Sequence, residues 1–190
     1  MKRLWIIIGF ALLLPGCVSQ TVDSEGNPIG KTKLSDELVI DSAGRVIARP
    51  THIYAPDRIV VNGDTPTERE IRLLGVEGLS EDEAPITYQK SQEWLHNYVA
   101  GEDEIYIKPA INADLDADII YGIVYLRARD KKTGEPIPGG YVNVNMAMLS
   151  VGLVKIRDLR EFEDEGLRQR MQEAQDMAKR EKEGLWSKTR

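Results

Sequence analysis

The chain has 190 residues, a formal net charge of −6, 29% charged and 42% hydrophobic residues, and one cysteine. This composition fits one domain with an extension, and it excludes a chain disordered throughout, a fibrous repeat and a multi-span membrane protein. A lone cysteine excludes an internal disulfide and any Cys-based zinc cluster, and the acid excess disfavours a tight nucleic-acid binder, which needs clustered Lys and Arg against phosphate.

Residues 1–16 read as an export signal. Lys2 and Arg3 form a basic start, and residues 4–14 are an eleven-residue apolar run. That run is too short for a membrane span, which needs about 20 residues, but suits a signal core. It ends in Leu14-Pro15-Gly16-Cys17, which resembles a bacterial lipobox. The resemblance implies lipidation of the Cys17 thiol, which then becomes the mature N-terminus. Loss of residues 1–16 removes two bases and no acid, lowering the charge by two to −8. Acyl chains, each contributing about 0.8 kcal/mol per buried CH₂, hold such a protein on a membrane. Val18, not an aspartate, follows Cys17. In a diderm bacterium this resembles an outer-membrane sorting signal.

Residues 17–50 read as a tether, polar and rich in turn residues. Asp23-Ser24-Glu25-Gly26 and Asp41-Ser42-Ala43-Gly44 each sit between apolar positions, which is hairpin chemistry. The tether is expected to end in one or two short strands. A domain is expected over residues 51–190. Residues 59–61 and 70–74 form a hairpin across Asn62-Gly63. Residues 85–100 form a helix with Trp94, Leu95, Tyr98 and Val99 on one face and Gly101 as its stop. Residues 104–108 and 119–126 are strands, the second buried. Residues 131–140 are a turn-rich loop, 145–150 a short helix and 151–156 a strand. Leu167, Met171, Ala174 and Ala178 fall at helical spacing, so residues 161–183 form an amphipathic helix. The fold class expected is mainly β with helices (α+β): a small five-stranded barrel with about three helices.

Arg72-Leu73-Leu74-Gly75-Val76-Glu77 is similar to the Arg-Leu-x-Gly-Ile-Asp strand of the staphylococcal nuclease-like (thermonuclease) family. Val144-Asn145, Leu149 and Gly152-Leu153 resemble that family's second helix, with the leucine one position later. Ala174, Ala178 and Gly184-Leu185-Trp186 resemble its closing segment, and Tyr121-Gly122 its Tyr-Gly-Arg strand entry. The resemblance spans residues 53–188 and implies an OB-fold barrel with three helices.

Members of that family cleave phosphodiester bonds with calcium, so the resemblance also implies a set of roles. Two carboxylates hold the hard cation, a third acts as base toward water, and two arginines stabilise the transition-state charge. On this chain Asp57 and Glu77 match the metal carboxylates and Arg72 the first arginine. Asp64, in Asn62-Gly63-Asp64-Thr65, leaves too few residues before Arg72 for the hairpin. Ser80 stands where the base belongs, with Glu81 beside it. Ile123 stands where the second arginine belongs. Arg127 shares its face but lies about 13 Å along the strand. Loss of a base costs about 10²–10⁴ in rate and loss of one charge stabiliser about 10²–10³.

Simpler roles exist for the same residues. Asp57 and Glu77 also read as solvated carboxylates, and Arg72 as a structural ion-pair partner. Asp114-x-Asp116-x-Asp118 lacks the later Gly and Glu of a calcium loop. His52 and His96 have no ligand spacing. Lys179, Arg180 and Lys182 alternate with Glu181 and Glu183 as a solvated face.

The leading expectation is a non-catalytic interaction or structural protein of the bacterial cell envelope. Its lipid anchor makes the membrane one partner (the outer membrane, periplasmic side, in a diderm), and an unidentified protein is the other. The alternative is a weak, divergent calcium-dependent endonuclease acting outside the cytoplasm. Binding to nucleic acid without chemistry is disfavoured by the charge.

Overall fold

The computed structural model describes residues 38–160 and 162–187. The residues before 38, including Cys17 and the first Asp-Ser-x-Gly copy, lie outside them. The described residues belong to one compact unit, Asp36–Arg190. Elements run β1 (Val39–Ile40), β2 (Val46–Ala48), β3 (Pro50–Ala55), β4 (Arg58–Val61), β5 (Arg69–Leu73), β6 (Val76–Glu77), α1 (Pro85–Tyr98), β7 (Ile105–Pro109) and β8 (Ile119–Arg129). There follow β9 (Pro136–Asn143), α2 (Val144–Ser150), β10 (Lys155–Ile156), α3 (Glu165–Glu181) and a 3-10 turn, Gly184–Trp186.

The fold is mixed α+β. One sheet has the order β1-β2-β7-β8-β5-β4-β3, with β9 also on β8; β6 and β10 form a separate pair. All pairs are antiparallel except β5–β8, which is parallel and aligns Arg72 with Tyr121. The hydrogen-bonded order is open, beginning at β1 and ending at β3, so a closed five-stranded ring is not among the pairings.

Alternation builds the sheet's inner face. Ile59, Val61, Ile71 and Leu73 are buried, so their chain neighbours Arg58 and Arg72 face the other way, opposite each other across β4–β5. The α3 stripe of Leu167, Met171, Ala174 and Ala178 is buried as its spacing requires. Asp164 caps that helix by accepting from Leu167 N–H at 2.9 Å.

Four expectations are corrected. The helix α1 buries Ser91 and Leu95, while Tyr98 is exposed. The Ser91 hydroxyl bonds to the Thr87 and Leu153 carbonyls, which brings a polar residue inward. Residues 136–140, read as loop, begin strand β9. Its prolines and glycines are tolerated because β9 pairs only β8 and is an edge. The strand expected over residues 151–156 shrinks to Lys155–Ile156, because Gly152 takes a left-handed turn with φ +66°. Finally, the short strands expected at the end of the tether form as β1 and β2, but they belong to the sheet of the domain expected to begin at residue 51. The hairpin β1–β2 turns at Asp41, whose carboxylate accepts from Ala43 and Arg45 N–H, and β2 pairs with β7.

Two segments that carry the family resemblance meet in space. Leu185 N–H donates to the Gly152 carbonyl at 2.8 Å. A Cβ on Gly152 would lie 2.4 Å from the Glu183 carbonyl oxygen, and one on Gly184 would lie 2.2 Å from that of Gly152. Only glycine permits this approach.

Asn145, fully buried at the start of α2, joins the layers. Its Oδ1 accepts from Val124 N–H and its amide donates to the Leu74 carbonyl. A buried amide must be paired in this way.

Candidate functional site

A cleft of about 640 Å³ opens at the β3–β4 turn. It is lined by Asp57, Arg58, Arg72, Glu77, Ser80, Glu81 and Glu83, with Tyr54, Tyr88, Tyr121 and Arg157. It therefore brings Asp57 together with Arg72, Glu77 and Ser80 from the later segment of residues 72–80.

Asp57 sits in the turn between β3 and β4, and its carbonyl accepts from Leu73 N–H at 2.9 Å. Its carboxylate faces Gly78 N–H at 3.4 Å and Arg58 Nε at 3.7 Å. Burial pushes its proton affinity up, against those two partners. A Cβ on Gly78 would lie 2.4 Å from Pro56 Cβ, so only glycine lets this loop approach the turn.

Arg72 projects from β5. Its Nε donates to Glu70 Oε1 at 2.7 Å and its Nη1 to the Tyr121 hydroxyl at 3.2 Å. The Glu70 bond holds the guanidinium more firmly protonated. Arg157 also approaches this tyrosine, 5.3 Å from the Tyr121 ring centroid against 5.8 Å for Arg72. A second cavity of about 500 Å³ shares Tyr121 and Arg157 as walls.

Glu77 lies on β6 directly opposite Lys155 of β10, and Lys155 Nζ is 3.0 Å from Glu77 Oε1. Ser80 is bound reciprocally to Glu83. The Ser80 N–H and hydroxyl donate to Glu83 Oε2 at 3.0 and 2.9 Å, and Glu83 N–H donates to Ser80 Oγ at 3.3 Å. These bonds depress the proton affinity of Glu83.

Ile123 stands apart. It is 4% exposed and lines a different cavity of about 170 Å³ with Leu74, Lys108 and Phe162. Arg127 is also elsewhere, bonded to the Tyr106 hydroxyl and 3.8 Å from Glu104. Asp64 lies in the β4–β5 loop, its N–H on Glu68. Asp114 accepts from Asp116 N–H within its own loop.

Sequence reasoning missed Glu83, Lys155 and Arg157. Glu83 had a signal, since Ser80-x-x-Glu83 has the spacing of a capping box. Lys155 and Arg157 had none, because only the β6–β10 pairing brings their segment to the cleft.

Calcium takes about six to eight oxygen ligands. The residues around Glu77 do not fit it, because an ammonium already stands at the carboxylate. Among the described residues no group of three or more His, Cys, Asp and Glu side chains is placed to hold a metal ion, and no helix is long and apolar enough to cross a membrane. No protein-family model matches the chain, and no curated protein matches it.

Proposed function

We propose that this is a lipid-anchored protein of the bacterial cell envelope whose thermonuclease-like OB scaffold serves interaction rather than phosphodiester cleavage. Two observations support the barrel. Arg49 alone separates β2 from β3, and its N–H and carbonyl both bond Asn62. The run β2–β3 pairs β7 with its first half and β4 with its second, so one stretch of chain flanks both sides of the β7-β8-β5-β4 order, as a small barrel requires.

The observation that carries the non-catalytic reading is the Ser80–Glu83 bond pair. At the position expected to hold a base there is a hydroxyl. The carboxylate next to it spends one oxygen on two hydrogen bonds and has a lowered proton affinity. A base weakened in this way is poorly matched to deprotonating water at neutral pH. The second reading, a divergent nuclease, is favoured by Arg157, a guanidinium that reaches the same cleft from the residue just after β10.

The test uses full-length protein in detergent with single-stranded DNA and calcium, with and without chelator. Cleavage at background in both is the expected result. Robust chelator-sensitive cleavage overturns the reading. In cells fractionated without detergent, C17S releases the protein from membranes and abolishes acyl labelling; unchanged membrane association with no label on the parent overturns the anchor.

A further inference from the structure

The antiparallel pair β6–β10 places Lys155 and Glu77 on directly opposed positions, and the ammonium is 3.0 Å from the carboxylate. The same ammonium acts electrostatically on Glu83. Asp57, Glu77, Glu81 and Glu83 put four carboxylates on one cleft. A calcium ion bound at Glu77 would need its oxygens at about 2.3–2.6 Å. An ammonium at hydrogen-bonding distance from the same carboxylate competes for those lone pairs and repels a second cation.

We propose that Lys155 is a built-in counter-cation, which neutralises Glu77 in place of a divalent metal and makes the cleft indifferent to calcium. The strand register supplies the cation, so it is present whenever the domain is folded. The calcium dependence implied by the family resemblance is then lost through a gain of charge at residue 155, independently of the serine at residue 80. The inference rests on the nuclease-like reading only for its expectation of a metal at Glu77.

The test is terbium luminescence on the full-length protein in detergent, with calcium as competitor. Tyr54, Tyr88 and Tyr121 line the cleft and sensitise emission from a lanthanide bound there. The expected result is a gain in calcium-displaceable binding of about two- to fivefold in K155M and K155Q over the wild type, the scale of one partly exposed ion pair. In K155M/E77Q the gain disappears. Thermal melting confirms that each variant is folded, and the melting temperature of the wild type itself stays unchanged between calcium and chelator.

Calcium binding by the wild type as tight as by the variants overturns the proposal, and so does a folded K155M or K155Q with no gain. A calcium-dependent rise in wild-type melting temperature has the same force. Cleavage of DNA by the wild type in chelator would instead overturn the non-catalytic reading and leave the role of Lys155 intact.

Discussion

Ser80 and Glu83 set the chemistry of their end of the cleft through local hydrogen bonds. Removing the hydroxyl in S80A leaves only the backbone donor, so the Glu83 proton affinity rises toward its ordinary value, read by NMR titration of the side-chain carboxyl. A depressed carboxylate contributes stability above its unfolded pKa that is lost as pH falls through the folded value. S80A therefore weakens the fall in stability below pH 4.5, the ordinary glutamate value. An unmoved titration shows that the hydroxyl bond does not form in solution. Ile123 gives a different expectation. Its side chain is buried beside Leu74 and Phe162, so I123R places a guanidinium among apolar groups without reaching the cleft. The expected loss is about 3 kcal/mol or more by urea denaturation, with no gain in DNA cleavage. A loss below about 1 kcal/mol would mean that the new side chain escapes to solvent.

At the scale of elements, the contact between the turn after α2 and the turn after α3 has no room for a side chain. Gly152 has φ +66° and its added Cβ would meet the Glu183 carbonyl. G152A combines left-handed strain with loss of the Leu185 bond, and is expected to cost about 2–4 kcal/mol. Gly44, at φ +71° in the β1–β2 turn, is the control, since nothing lies within 4 Å of its would-be Cβ. G44A is expected to cost about 1–2 kcal/mol, the conformational term alone. Equal losses in the two variants, measured by thermal melting, would show that the packing contact contributes nothing. The β1–β2 turn is also held laterally, because the Arg45 guanidinium is 4.2 Å from the Tyr141 ring centroid and 5.1 Å from that of Tyr106.

At the scale of the molecule, the domain begins before the boundary that composition marks. The sheet takes in β1 and β2, and Val46 and Ala48 are buried in its core. A chain starting at residue 51 loses both side chains and leaves β7 without its β2 partner. It is expected to be less stable by about 3 kcal/mol or more than a chain starting at residue 36, counting about 1.5–3 kcal/mol for a buried valine-sized side chain. Chemical denaturation of the two truncated chains checks this. Equal stabilities would mean that β1 and β2 only rest on the sheet.

Several features were already decided by local sequence. The 3.6-residue spacing of Leu167, Met171, Ala174 and Ala178 determined α3. Alternation around Ile59 and Ile71 determined the β4–β5 hairpin, and Asp41 and Gly44 determined the turn between β1 and β2. In each case the cause is the chain's own geometry within a few residues. Tertiary structure decided the rest. It drew the tether's second turn into the sheet, made an edge strand of a segment rich in Pro and Gly, and removed Ile123 from the cleft. It also brought Lys155 and Arg157 to Glu77 and Tyr121 by pairing β10 with β6. Charge neutralisation at Glu77 depends on which residue lies across a strand pair, and that partner is remote in the chain.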